Sequence, residues 1–162
     1  MSGEISYNPI GIVRSPFKSS KGTPIQPKEA KGVKAKVVVK KEYSEGLKDL
    51  EGFSHIILIC HFHLSKGYDL KVRPFMDEHL RGVFSTRAPK RPNSIGLSTV
   101  RLTGIKGNIL FVEEIDIVDG TPVLDIKPYV PDFDVRQADK IGWLKSVIHK
   151  LPEKKDDGRF LK

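Results

Sequence analysis

From Ile95 to Tyr129 the chain passes through three apolar, β-branched stretches separated by Gly107-Asn108 and Asp119-Gly120, dipeptides that favour tight turns. This spacing predicts strands at 95–105, 109–118 and 123–129, joined as antiparallel hairpins. Upstream, the apolar run at 53–64 predicts a central strand buried on both faces, the best core candidate in the chain. Val33, Ala35, Val37 and Val39 alternate with Lys34, Lys36 and Lys40, the period of a strand with one solvated face. Further strands are predicted at 5–13 and 82–85, a short helical turn at 44–50, and a long Gly, Pro and Lys-rich loop at 18–31. No segment alternates strand, Gly-rich turn and helix as a doubly wound dinucleotide fold requires, so the reading is mainly β, a barrel or a sandwich. Near the C-terminal end Ile141, Leu144, Val147, Ile148 and Leu151 recur at three- and four-residue steps, which predicts an amphipathic helix over 138–151 followed by a mobile tail.

A length of 162 residues fits one domain, with 1–137 as its β body and 138–162 as a C-terminal helix and tail of the same unit. Lys plus Arg number 28 against 20 Asp plus Glu, a formal charge of +8 that attracts a polyanion such as RNA by counterion release. Charge of this size favours a nucleic-acid partner without establishing one. The single cysteine, Cys60, excludes an intrachain disulfide and sits in an apolar run, as expected of a buried, inert thiol in a reducing compartment. Neither a basic-then-apolar leader nor an apolar run of membrane-spanning length is present, so the sequence reads as cytoplasmic, with no membrane partner.

Two segments carry residues suited to chemistry. In Thr86-Arg87-Ala88-Pro89-Lys90-Arg91-Pro92-Asn93-Ser94-Ile95-Gly96 the prolines reduce the loop's freedom, while the guanidinium groups offer planar forks for carboxylate, phosphate or a stacked base. An ordinary solvated connector has the same composition. In the second, strand alternation places Asp125, Lys127 and Tyr129 on one face and Leu124 and Ile126 on the other. A carboxylate, an ammonium and a phenol there form an acid, base and orienting set, although an exposed hairpin face with one ion pair would look the same. His55, His61 and His63 share a parity on the 53–64 strand, but no CxxC or nearby carboxylate completes a zinc site, and the reading is no metal.

These motifs together resemble the TrmO (TsaA-like) family of S-adenosylmethionine-dependent tRNA methyltransferases. The resemblance rests on Ile10-Gly11-Ile12-Val13-Arg14-Ser15-Pro16-Phe17, Leu50-Glu51-Gly52-Phe53-Ser54-His55, Gly82-Val83-Phe84-Ser85-Thr86-Arg87, Arg91-Pro92-Asn93-Ser94-Ile95-Gly96, and Asp119-Gly120-Thr121-Pro122 with Asp125-Ile126-Lys127-Pro128-Tyr129. It implies a small, mostly antiparallel β-barrel, a homodimer, and S-adenosyl-L-methionine bound close to the dimer interface. It also implies cofactor contacts from Pro24, Ile25 and Gln26, from His63 and Leu64, from Arg87, from Leu97, and from Asp116, Ile117, Val118 and Asp119. Arg87 would hold the methionine carboxylate, and groups near Asp116 the amino group or ribose hydroxyls.

The reaction implied is methylation of the exocyclic nitrogen of threonylcarbamoyl-adenosine beside a tRNA anticodon. Asp125, or a Tyr129 polarised by Lys127, would serve as base, and Arg91 and Asn93 would contact the anticodon loop. The chain departs from the family at RPNSIG, where RPNPIG is usual, and it reads as a short form without the extension of many bacterial members. Two competing readings remain at this point: a methyltransferase acting on a small molecule, and a basic RNA-binding barrel without catalysis.

Overall fold

The computed structural model describes residues 3–161. Six strands close into an antiparallel barrel: β1 (Gly11–Arg14), β2 (Lys34–Val39), β3 (His55–His61), β6 (Ile95–Lys106), β7 (Ile109–Glu113) and β8 (Pro122–Pro128). Around the barrel they run β1, β2, β7, β6, β3, β8 and back to β1. A two-stranded sheet of β4 (Lys71–Val72) and β5 (Arg81–Gly82) stands beside it.

Strand alternation builds the interior. Val13, Val37, Ile56, Leu58, Val100, Leu110, Val112 and Val123 point inward and are fully buried. Each contributes about 1.5 to 3 kcal/mol by leaving water. β3 is not buried on both faces: Ile56, Leu58 and Cys60 line the core, while His55, Ile57 and Ile59 face outward and are half-buried. An antiparallel barrel strand has one inner face, so the apolar outer residues mark a surface rather than a second core. Burial pushes the Cys60 thiol up to about 12, with the nearby Asp116 charge adding to it, and the thiol is inert as expected.

Several elements are shorter than predicted, or different. β1 begins at Gly11, and the 44–50 turn is two 3-10 segments, Lys41–Leu47 and Leu50–Gly52. Residues 83–85 form a 3-10 turn rather than a strand. The Gly107-Asn108 hairpin between β6 and β7 is present, but β7 and β8 are not neighbours. β7 stops where Glu114 takes a positive φ of 64°, and the chain then crosses the barrel end, inserting the buried Ile115 and Ile117.

The predicted C-terminal amphipathic helix is absent. Its place is taken by two 3-10 segments, Gly142–Ser146 and Ile148–Glu153. Gly142 at φ 57° breaks the α-helical path, Pro152 lies inside the second segment, and Ile141 and Ile148 stay exposed. An isolated helix of this length is marginal without a surface to cover its apolar face. Trp143 ties the segment down by donating its indole N–H to the Ser85 carbonyl at 2.9 Å. The tail is not free either: Phe160 is buried in a second small core with Val72, Val83 and Ala88. Lys162 lies outside the described residues.

Gly11 explains itself in this fold. A Cβ built there would lie 2.6 Å from the Val38 carbonyl oxygen and 3.0 Å from the Val39 Cα, both backbone atoms of the paired strand. Gly11→Ala should therefore cost about 1 to 3 kcal/mol of stability in urea unfolding by forcing β1 off β2, whereas Gly46→Ala, with open space around the added methyl, should be nearly neutral.

Candidate functional site at the barrel end

Three stretches far apart in sequence meet at one end of the barrel, around the Arg87 guanidinium. Gln26 sits in extended conformation just before the Pro27–Glu29 3-10 turn. Its amide oxygen accepts a hydrogen bond from Arg87 Nη1 at 3.0 Å. The third stretch is the β7–β8 crossing, whose Asp116 carboxylate accepts the Ser98 hydroxyl at 2.6 Å and lies within electrostatic reach of Arg87. Desolvation raises the Asp116 carboxyl to about 7, against the opposing pull of the Ser98 hydrogen bond and the Arg87 charge.

The loop that presents Arg87 is held on both sides of it. The Thr86 hydroxyl donates to the Val83 carbonyl at 2.8 Å and accepts the Ala88 N–H at 3.2 Å. Arg91 turns back on the same loop, its Nη1 donating to the Thr86 and Ala88 carbonyls at 3.1 and 3.3 Å. Arg91 thus fixes the backbone on either side of Arg87. Asn93 is exposed, and its carbonyl accepts the Ile95 N–H.

The crossing is pinned with equal care. The Ser15 hydroxyl donates to the Ile117 carbonyl at 2.6 Å, and the Thr121 hydroxyl donates to that of Val118 at 2.8 Å. Asp119 accepts the Ser15 N–H at 3.1 Å and Lys18 Nζ at 2.9 Å, and the Lys18 contact chiefly holds its carboxyl below the usual range. Its carboxylate is therefore committed to anchoring the turn. His63 follows β3, with Nε2 4.0 Å from where a Cβ on Gly120 would stand, so it adjoins this turn. Burial, and then the charge of His61, lower the His63 pKa and favour the neutral ring. Pro24 and Ile25 precede Gln26 half-buried, while Leu64, next to His63, and Leu97 on β6 present exposed apolar surface. The tip of the Phe62 ring closes on Gly96, where a Cβ would come 2.1 Å from Cζ.

The residues of the Asp125 face are arranged differently. Asp125 pairs with Ile59, which pairs with Leu97, so the carboxylate is two strand spacings, roughly 10 Å, from Leu97 on the outer face. Lys127 Nζ is 2.8 Å from Asp125, whose other oxygen accepts the Ile126 N–H at 2.9 Å. Tyr129 is further along, its ring edge-on to His55 with centroids 6.2 Å apart. The three follow one another along β3, opposite Ile59, Ile57 and His55, and among the described residues none of them bonds to Arg87. Among the described residues no three His, Cys, Asp or Glu side chains are grouped to hold a metal ion, and His55 and His61 stand at opposite ends of β3.

Ser98, Ser15, Thr121 and Phe62 are the supporting residues that the sequence did not single out. Ser98 carried a usable signal, a hydroxyl on the otherwise apolar inner face of β6, since such a group needs a buried partner.

Comparison with known proteins places this geometry. The tRNA-methyltransferase O N-terminal domain matches residues 12–135. A Pyrococcus abyssi protein named as a probable S-adenosyl-L-methionine-binding protein is 60% identical over 156 residues, covering 96% of this chain and 85% of that one. The human tRNA (adenine(37)-N6)-methyltransferase is 36% identical over 143 residues, covering 84% of this chain and 32% of the human one. Among solved structures, TrmO from Pseudomonas aeruginosa superposes with a TM-score of 0.73 at 38% identity, covering 87% of this chain and 63% of that chain. The chain thus spans less than two thirds of the TrmO structure and about a third of the human enzyme. No helix among the described residues is long and apolar enough to cross a membrane. With a family match over most of its length and the same barrel, this chain belongs to the tRNA-methyltransferase O family.

Proposed function

We propose that this chain methylates the exocyclic nitrogen of threonylcarbamoyl-adenosine beside the tRNA anticodon, with S-adenosyl-L-methionine as the methyl donor. The observation that carries the reading is the meeting of Gln26, Arg87 and Asp116 at one barrel end. An amino-acid head group bears one charge of each sign, and a guanidinium facing a desolvated carboxyl suits both. Pro24, Ile25, Leu64 and Leu97 add apolar surface for a nucleoside, and the backbone at Ile117, Val118 and Asp119 adds polar groups for its sugar. The residues present therefore fit the cofactor.

Once bound, S-adenosyl-L-methionine supplies a methyl group already activated by its sulfonium. The chain's own residues must align the acceptor and take a proton from a urea-like nitrogen whose lone pair is delocalised. Asp125 is the proposed base, with Lys127 orienting its carboxylate through the 2.8 Å contact. Tyr129 is the alternative on the same face. Arg91 and Asn93 sit on the loop that the anticodon would meet, and the +8 charge favours an RNA acceptor over a small molecule. A cytoplasmic location accords with such a substrate.

We further read the protein as a homodimer with a shared site. Among the described residues no hydrogen bond or ion pair joins Asp125, Lys127 or Tyr129 to Arg87 within one chain, and the outer face beside Asp125 carries Leu97 and, beyond it, Ile95, 56% and 44% exposed. A second copy seated there would cover that surface and set one chain's Asp125 face against the other's Arg87 end. Light scattering should give twice the 18.2 kDa chain mass, and a monomer with full activity would contradict the shared site.

The two proposed roles fail differently. Asp125→Asn should retain cofactor and tRNA affinity while lowering single-turnover methylation by about 100- to 10,000-fold. Arg87→Ala should weaken cofactor binding in calorimetry by roughly 10- to 100-fold, as expected for a charged hydrogen bond, and regain much of its rate at saturating cofactor. Near wild-type turnover in Asp125→Asn would move the base to Tyr129. Loss of cofactor binding on chelation would overturn the metal-free reading.

Asp116 gives the site a pH dependence. With its carboxyl raised to about 7, protonation below that pH removes the charge that would pair with the cofactor's ammonium. Cofactor affinity should therefore rise with pH through about 7 and level off above it. Ser98→Ala removes a hydrogen bond that favours the ionised form, so the midpoint should move to higher pH, and Asp116→Asn should flatten the profile. A midpoint unmoved by Ser98→Ala would contradict this role for Asp116.

A further inference from the structure

The segment at 155–160 lies outside the matched family domain, yet it touches both backbones that carry the Gln26–Arg87 contact. On one side it pairs with the Gln26 loop: Pro24 and Lys155 form an antiparallel bridge, the Gly22 N–H donates to the Asp156 carbonyl at 2.6 Å, and the Asp156 N–H donates to the Thr23 carbonyl at 2.9 Å. The chain then reverses, with the Asp156 carboxylate accepting the Gly158 N–H at 2.7 Å.

On the other side it enters the small core under the Arg87 loop. Phe160, 7% exposed, packs with Val72, Val83 and Ala88, the last adjacent to Arg87, and meets Phe75 edge-on at 5.0 Å. Arg159 reinforces this dock. Its Nη1 donates to the Pro74 and Arg73 carbonyls at 2.9 and 3.4 Å, its Nε and Nη2 donate to the Asp157 carboxylate, and its guanidinium lies 5.2 Å from the Phe75 ring centroid.

We propose that this segment is a brace that sets the position of Gln26 against Arg87, and that Phe160 and Arg159 are positioning residues for cofactor binding. The proposal rests on the reading of that site as the S-adenosyl-L-methionine site. Two anchors, one on each loop, reduce the freedom of a contact whose partners are 61 positions apart in sequence. Neither residue bonds to the groups that would touch the cofactor, so the brace acts on affinity and leaves the acceptor chemistry alone.

The test is calorimetry of S-adenosyl-L-methionine with the full chain and with Phe160→Ala, Phe160→Leu, Arg159→Ala and Gln26→Ala, alongside turnover at saturating cofactor. Phe160→Ala should raise Kd at least tenfold while kcat stays within about twofold, and Phe160→Leu should restore most of the affinity. In the Gln26→Ala background the Phe160→Ala effect should largely vanish, because the contact it positions is gone. Should Phe160→Ala fold poorly, Arg159→Ala, at a partly exposed position, should give the same Kd-against-kcat split. Wild-type Kd in both variants, or an undiminished Phe160→Ala effect without Gln26, overturns the brace alone. Absence of binding by the unaltered chain overturns the methyltransferase reading, and the brace with it.

Discussion

Because β7 and β8 are not neighbours in the closed barrel, the chain between them has to cross the barrel end, and the rest of the site depends on that crossing. Ile115 and Ile117 fill the end of the core, and between them the Asp116 carboxyl reaches the inward-facing Ser98 hydroxyl. A carboxyl in that position loses solvent, and only a partner at hydrogen-bond distance makes its burial tolerable. Ser98, inward on β6, is that partner. The raised Asp116 pKa, its proximity to Arg87 and the anchoring of the turn by Ser15 and Thr121 all follow from the crossing.

Around this fixed point the remaining groups come from loops, and loops need bracing. The Thr86–Asn93 loop is stiffened internally by the Thr86 hydroxyl and by Arg91, with prolines at 89 and 92. The Gln26 loop is held on its C-terminal side by the 3-10 turn that follows, where the Glu29 N–H donates to the Gln26 carbonyl, and on its N-terminal side it pairs with the C-terminal segment at Gly22, Thr23 and Pro24. The protein thus combines a rigid barrel end with two loops whose relative position is set from outside the barrel.

The barrel was legible because strand period and turn chemistry are local. The alternation at 33–39 and the Gly107-Asn108 hairpin appear as the sequence predicts. The Asp119-Gly120 turn misleads for a physical reason: a tight turn reports a local reversal and not which strands pair afterwards, and barrel closure sends β8 to β1 and β3. The amphipathic spacing at 141–151 misleads because Gly142 at a positive φ and Pro152 break the helical path, so Leu144, Val147 and Leu151 are only half-buried and Ile141 and Ile148 stay exposed. For the site, the family motifs brought Gln26, Arg87 and Asp116 into one list, but their convergence and the role of Ser98 depend on contacts across 18 to 61 positions. The docking of Phe160 was hidden for the same reason, since a charged tail with one aromatic looks solvated until its partners at 72, 75, 83 and 88 are assembled.

Methyl transfer from the barrel end to tRNA is the central claim. Purified protein incubated with methyl-labelled S-adenosyl-L-methionine and threonylcarbamoylated tRNA, followed by mass spectrometry of the nucleosides, measures this directly. The account predicts one label on the exocyclic nitrogen of the modified adenosine next to the anticodon. Tight cofactor binding with no labelled nucleoside would contradict it and favour a small-molecule acceptor, while RNA binding without cofactor binding would favour a barrel that recognises RNA and performs no chemistry.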